Sequence, residues 1–144
     1  MKRNFAYSLL VTFIFVAGCG AGTHKSNGNQ SSVSDTGKAV INFTEYEHNF
    51  GKVREGGKVA YIFTFTNTGT ADLVVNSAVA SCGCTVPKYS GKPVSPGKTG
   101  NIEVVFDTEG RNGIQTKTIT VTSNAATPVV ILKIVTEVIN TNNN

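Results

Sequence analysis

The Cys82-Gly83-Cys84 triplet is the one place where reactive side chains are concentrated in this sequence. Residues two apart on a strand point to the same face, so both sulfurs can address one partner. In a straight strand their Cα atoms would lie about 6.5–7 Å apart, near the upper limit for a disulfide, and Gly83 can shorten that distance. Three interpretations stay open: a reducible disulfide, a copper(I) or zinc site, and a structural pair that fills a strand end. Zinc would need four ligands, and the sequence offers no second cysteine pair nearby.

The third cysteine, Cys19, follows a segment typical of exported proteins. Lys2 and Arg3 precede an apolar stretch of a dozen residues (5–16), well short of the roughly 20 needed to span a bilayer. Val16-Ala17-Gly18-Cys19 resembles the lipobox of bacterial lipoproteins. This resemblance implies that residues 1–18 are a cleaved signal peptide and that acyl chains on Cys19 anchor the protein in a lipid bilayer.

Residues 19–38 combine the lipidated cysteine with a segment rich in Gly, Ser, Asn and Thr. Such a composition buries too little apolar surface to order itself, so we predict a flexible tether that spans on the order of 25 Å. Gly20 stands where lipoproteins retained in the inner membrane carry an aspartate. By that analogy we expect a location in the cell envelope, at the outer membrane and facing the periplasm.

The rest of the sequence predicts an all-β domain. Valine and threonine each occur 18 times and leucine only four times, and β-branched residues favour strands. Residues 58–66 and 101–106 show a period of two, as half-buried strands do. The side chains that share one face are Val59, Tyr61, Phe63 and Phe65 in the first segment and Ile102, Val104 and Phe106 in the second. We expect an immunoglobulin-like antiparallel β-sandwich of about seven to eight strands over residues 39–139, followed by a frayed tail at 140–144.

Several local features refine this expectation. Residues 87–100 hold three of the four prolines and are predicted to form a loop, and residues 109–113 are predicted to connect a hairpin. The predicted core consists chiefly of Phe43, Phe50, Tyr61, Phe63, Phe65, Leu73, Val104, Phe106, Val121 and Ile131.

Catalytic constellations are not evident in the sequence. His48 is the one histidine of the predicted domain, and we interpret it as an outward-facing or hydrogen-bonded strand residue. The acidic residues are dispersed, and no glycine-rich turn opens a helix. We therefore expect no catalytic residues and no cofactor, and hence not an enzyme.

The charge distribution also bears on the partners. The net charge of +4 falls to +2 without Lys2 and Arg3, and the basic residues are scattered. Because a nucleic-acid footprint needs a concentrated basic face, we expect no nucleic-acid partner.

Four segments together resemble one known family, domain-of-unknown-function family 1573, over nearly all of residues 40–125. The segments are Phe43-x-x-x-x-His48-x-Phe50-Gly51-x-Val53, Phe63-x-Phe65-x-Asn67-x-Gly69, Ser81-Cys82-Gly83-Cys84-Thr85 and Pro96-Gly97-x-x-Gly100-x-Ile102-x-Val104-x-Phe106-Asp107-Thr108. The Ser-Cys-Gly-Cys-Thr element is the specific part. The resemblance implies an immunoglobulin-like fold and leaves the biochemical role open.

Two functional hypotheses follow. The first is a membrane-anchored lipoprotein whose domain is a non-enzymatic binding or scaffolding module for an envelope protein or glycan, with residues 87–100 as part of its recognition surface. The alternative is a thiol redox or copper-handling protein that uses the Cys82/Cys84 pair.

Overall fold

A computed structural model describes residues 37–140, which form eight strands and no helix. The predicted signal peptide, Cys19 and nearly all of the predicted tether lie outside the described residues, as do residues 141–144. Within the described part, no helix is long and apolar enough to cross a membrane. The strands are β1 (Ile41–Phe43), β2 (Glu47–Arg54), β3 (Lys58–Asn67), β4 (Val75–Ala80), β5 (Thr85–Tyr89), β6 (Thr99–Asp107), β7 (Gly113–Ser123) and β8 (Val129–Ile139).

The strands pack as two four-stranded sheets. The first sheet has the order β1-β3-β6-β5 and the second the order β2-β8-β7-β4. This arrangement confirms the predicted all-β sandwich. One pair departs from the antiparallel pattern, since β2 runs parallel to β8.

Alternating side chains from both sheets fill the space between them. Phe63, Phe65, Val104 and Phe106 are buried on the first sheet, as the alternation predicts, and Val121 is buried on the second. The prediction for Ile131 is wrong. In β8 the buried positions are Leu132, Ile134, Thr136 and Val138, and Ile131 faces outward with 58% of its surface exposed. Both faces of β8 carry aliphatic residues, so the sequence does not reveal which face is buried.

The prediction of a loop over residues 87–100 is also wrong at its start, because β5 extends to Tyr89. Asp107 N donates to the Cys84 carbonyl oxygen, and the alternation of an antiparallel ladder then places the Pro87 nitrogen at the free edge of the sheet. Proline cannot donate a main-chain hydrogen bond, so an edge strand tolerates it there. Tyr89 on the same strand donates from its hydroxyl to the Asn76 carbonyl oxygen (3.1 Å) and ties β5 to β4.

Residues 109–113 do not connect a hairpin. They carry the chain from β6 in the first sheet to β7 in the second. Gly110 and Gly113 both have positive φ (66° and 71°), which permits the tight change of direction that the sequence had suggested for a hairpin.

Candidate functional site

The Cys82-Gly83-Cys84 triplet lies in the turn that joins β4 of one sheet to β5 of the other, not within a strand. A disulfide joins the two cysteines, with their Cα atoms 5.3 Å apart. This distance is shorter than a straight strand would give, because the backbone turns at Gly83. A Cβ atom on Gly83 would meet no neighbour within 4 Å, so the turn is open to solvent on that side.

Main-chain hydrogen bonds hold both ends of this turn independently of the disulfide. Ser81 N donates to the Thr118 carbonyl oxygen (2.9 Å), and Asp107 N donates to the Cys84 carbonyl oxygen (2.9 Å). The disulfide closes a loop of only three residues and connects no distant parts of the chain. Its loop-closure contribution to stability is about 1.5 kcal/mol, well below that of a disulfide that closes a long loop.

Thr85 places a hydroxyl group beside both sulfurs. The residue is buried, and its Oγ1 lies 3.5 Å from Cys82 Sγ and 4.0 Å from Cys84 Sγ. A hydroxyl can donate to a thiolate, so this side chain bears on the chemistry of the reduced pair. The sequence carried one signal for Thr85, its place directly after Cys84.

An open cleft of about 390 Å³ borders the turn, and Gly83, Cys84, Asp107, Glu109 and Arg111 line it. Arg111 Nε is buried there without a hydrogen-bond partner among the described residues. The Asp107 carboxylate accepts a hydrogen bond from Glu109 N (3.0 Å), which lowers its pKa. Sequence reasoning missed Arg111, because nothing in the sequence indicates that the crossover after β6 returns to the cysteines.

The electrostatics of this cleft are close to balanced. Lys58 lies 3.4 Å from Asp107 and, together with Arg111, further lowers the pKa of that carboxyl group. Arg111 and two carboxylates line the cleft, and Lys58 contacts one of those carboxylates from outside it. A charged reactant would meet no strong single-sign field there.

No group of three or more histidine, cysteine, aspartate or glutamate side chains within residues 37–140 is placed to hold a metal ion. In the disulfide form the two sulfurs are bonded to each other and are not thiolate ligands. Reduction would present two thiolates to copper(I), so copper handling by Cys82 and Cys84 stays a prediction.

His48 lies apart from the cysteine turn, between the sheets near their β1–β2 edge. Its Nδ1 is 3.1 Å from Glu45 Oε1, and its ring stacks on Tyr61 with the centroids 3.5 Å apart. A hydrogen bond to Glu45 raises the pKa of Tyr61, and partial burial and the Glu45 charge act in the same direction. His48 is therefore a hydrogen-bonded histidine, one of the two interpretations from the sequence, and it faces inward.

The two packed four-stranded sheets define a β-sandwich domain. The chain belongs to the family described as protein of unknown function (DUF1573), whose model matches residues 41–138. This match confirms the family expected from the Ser-Cys-Gly-Cys-Thr element. No curated protein matches the chain.

Solved structures share the fold at low sequence identity. A protein of unknown function from Porphyromonas gingivalis W83 has a TM-score of 0.63 and 16% identity, over 76% of this chain and 51% of that chain. A PapD-like domain of human CEP192 has a TM-score of 0.59 and 9% identity, over 73% of this chain and 89% of that chain. The secreted serine protease VesC from Vibrio cholerae has a TM-score of 0.54 and 16% identity, over 69% of this chain and 23% of that chain.

The chain thus spans about half of the Porphyromonas protein and under a quarter of VesC. At such identities these likenesses show the fold alone, which hosts enzymes and non-enzymatic modules alike.

Proposed function

We propose that this protein is a membrane-anchored lipoprotein whose sandwich is a non-enzymatic module that binds another protein of the cell envelope. The Val16–Cys19 pattern supports the anchor, and the Gly20 position supports an outer-membrane location facing the periplasm. Two acyl chains or more would give stable attachment. Replacing Cys19 with serine should move the protein from the membrane fraction to the soluble fraction. An unchanged membrane fraction would contradict the anchor.

The observation that carries the binding proposal is an exposed apolar row on the outer face of the second sheet. Val79 on β4 and Ile131 on β8 both pair with Thr120 on β7, so the three side chains are neighbours across three strands. Val79 is 61% exposed and Ile131 is 58% exposed, and Val129 lies in the adjacent row. We call Val79, Thr120, Val129 and Ile131 the outer patch.

The composition of this face favours a protein partner over a glycan or a small ligand. The outer patch holds no charged and no aromatic side chain, and interface cores are depleted of charge. Charged pairs lie toward β2, where Lys133 contacts Glu47 (2.7 Å) and Lys52 contacts Glu137 (3.6 Å). An apolar patch beside a charged rim is typical of protein interaction surfaces.

The outer face of the first sheet carries an ion pair beside its exposed isoleucine, and this isoleucine supplies the control for substitutions in the outer patch. There Lys88 lies 4.0 Å from Glu103, and Glu103 pairs with Ile62, which is 53% exposed. Ile62 matches Ile131 in residue type and exposure, but its cross-strand partner is the ion-paired Glu103, whereas that of Ile131 is the uncharged Thr120. Replacing either isoleucine with lysine should leave the fold intact, because both are surface positions.

The experiment compares partner capture by three forms of the anchored protein: unchanged, Ile131→Lys and Ile62→Lys. A photo-crosslinker at Thr120 should yield an adduct with one envelope protein. That adduct should be lost in Ile131→Lys and kept in Ile62→Lys. Equal crosslinking by all three forms, or adducts with glycan only, would contradict the proposal.

Thiol redox exchange at Cys82 and Cys84 is a second candidate function, favoured by one specific observation. Hydrogen bonds to Thr118 and Asp107 hold the turn whether or not the disulfide is present, and its Gly83 side is open. Reduction should therefore leave the sandwich folded. Reaction of the folded protein with a dithiol reductant tests this function, and a disulfide that resists reduction until the protein unfolds would contradict it.

A further inference from the structure

The two sulfurs of the disulfide have different surroundings, and this difference bears on the redox function proposed above. The Thr85 hydroxyl is nearer to Cys82 Sγ (3.5 Å) than to Cys84 Sγ (4.0 Å). Within residues 37–140 these sulfurs are its side-chain hydrogen-bond partners. In the reduced protein this hydroxyl can donate to a Cys82 thiolate, and a hydrogen bond to a charged acceptor is stronger than a neutral one.

The apolar surroundings of the two sulfurs also differ, and this difference likewise favours Cys82 as the thiolate. Both cysteines are half-buried, but Cys84 packs against the buried hydrophobic core and Cys82 lies outside that cluster. Apolar surroundings disfavour the charged form of a thiol. Core packing thus disfavours the thiolate of Cys84, while the Thr85 hydroxyl favours the thiolate of Cys82.

Charged side chains near the turn do not reverse this difference. Asp107, Glu109 and Arg111 line the cleft beside Cys84, and Lys58 contacts Asp107. The two carboxylates offset the two cations, so Arg111 alone does not select Cys84 as the thiolate.

We propose that Cys82 is the nucleophilic thiol of the reduced protein, that Thr85 donates to its thiolate, and that Cys84 is the resolving thiol in exchange with a disulfide-bonded partner. The Cys82 thiolate attacks one sulfur of the partner disulfide, and the other partner sulfur leaves with the electron pair and takes up a proton. Cys84 then loses its proton and attacks Cys82 Sγ. The first partner sulfur leaves as a thiol. The partner disulfide gains two electrons and two protons, and the Cys82–Cys84 disulfide forms.

The direct experiment measures which thiol reacts first. The mature protein in detergent is reduced with a dithiol, freed of reductant and pulsed with iodoacetamide between pH 5 and 10. Trypsin cleavage after Lys58 and Lys88 releases one peptide with both cysteines, and fragmentation locates the label. At pH 7 Cys82 should be labelled about tenfold faster than Cys84, as expected for one hydrogen bond to a thiolate. Equal labelling, or faster labelling of Cys84, would overturn the assignment.

Single-cysteine variants test the exchange step with a small aromatic disulfide as the probe. Cys84→Ser should form the mixed disulfide about tenfold faster than Cys82→Ser. In the protein with both cysteines, Thr85→Val should reduce the difference in labelling between the thiols, and the part that remains comes from the packing of Cys84 against the core. Thr85→Ser, which keeps the hydroxyl, should preserve it. If Cys84 forms the mixed disulfide faster, the assignment fails and the redox function stands. If neither thiol exchanges with the probe, the redox function itself fails.

Discussion

The turn around Asn67 and the Cys82–Cys84 turn lie at opposite ends of the first sheet. They differ in how far each one connects separate parts of the chain. At one end the buried Asn67 side chain accepts from Val40 N (3.3 Å) and Gly69 N (3.0 Å). It also donates to the carbonyl oxygens of Ala71 and Val94, both at 2.8 Å. At the other end the Cys82–Cys84 turn is half-buried, and its distinctive bond joins residues only two apart.

The difference separates residues that hold the fold from residues that are available for chemistry. The Asn67 side chain holds the turn at residues 67–71 and joins it to Val40 and Val94, each 27 residues away, so its loss removes hydrogen bonds from three stretches of main chain. The disulfide, in contrast, links residues only two apart and holds no other segment of the chain in place. Two segments that carry the family resemblance thus have different expected roles, and substitution can test the distinction.

The largest expected effect comes from Asn67→Ala. It leaves two main-chain N–H groups and two carbonyl oxygens without their side-chain partner and should lower the free energy of unfolding by about 3 kcal/mol. Asn101→Ala, at an exposed position on β6, is the matched control and should change stability by less than about 0.5 kcal/mol. Urea unfolding of both variants gives the comparison. Similar small losses of stability for both variants would contradict the claim that Asn67 holds the fold together.

A smaller loss is expected for Gly100→Ala, near the Asn67 end of the sheet. Gly100 pairs with Phe65, and a Cβ atom at Gly100 would overlap the Phe65 ring, which is buried. The forced shift should cost about 2 kcal/mol. At Gly91 a Cβ atom would meet no neighbour within 4 Å, so Gly91→Ala should be nearly neutral. Thermal unfolding checks both, and a neutral Gly100→Ala would show that the ring can move aside.

The double substitution Cys82→Ser with Cys84→Ser should cost less still. The closed loop holds three residues, so its loss lowers the free energy of unfolding by about 1.5 kcal/mol and leaves the fold intact. Urea unfolding measures the cost, and circular dichroism checks that the strands persist. A loss as large as that of Asn67→Ala would make the disulfide a structural bond and end the contrast between the regions.

The smallest effect is a pH dependence at the cysteine end of the sheet. The Glu109 N–H and the charges of Lys58 and Arg111 lower the pKa of Asp107 from its ordinary value of 3.8. A lowered pKa in the folded state stabilises the fold above about pH 4, and this stabilisation is lost as the pH falls through the folded-state pKa. Asp107→Asn should therefore lower Tm slightly at pH 7 and bring it level with the unchanged protein near pH 2. A Tm difference that is constant with pH would contradict this assignment.

Much of the fold could be predicted from residue alternation. Phe63, Phe65, Val104 and Phe106 are buried where a period of two places them, because successive side chains of a strand point to opposite faces of the sheet. Ile131 was misassigned because β8 carries aliphatic residues on both faces. Pro87 indicated a loop because its place on a free sheet edge depends on strand order, which local sequence does not encode.

The sequence located the two cysteines of the candidate site and left their disulfide as one of three interpretations. The sequence identifies Cys82 and Cys84, but their exposure and the turn between sheets follow from the tertiary arrangement. Arg111 reaches the cleft through the crossover from β6 to β7, and the outer patch requires the register of three strands. Neither the position of Arg111 at the cleft nor the alignment of the outer patch can be read from spacing along the chain.

The central contrast is tested most directly by counting the alkylated cysteines in the folded protein. The mature protein is treated with increasing dithiol reductant and no denaturant, then alkylated, and the mass of the tryptic peptide with Cys82 and Cys84 is measured. We predict two labels on that peptide while circular dichroism shows the sandwich intact. Labels that appear only at urea concentrations that unfold the protein would contradict a disulfide turn that is open to chemistry and independent of the fold.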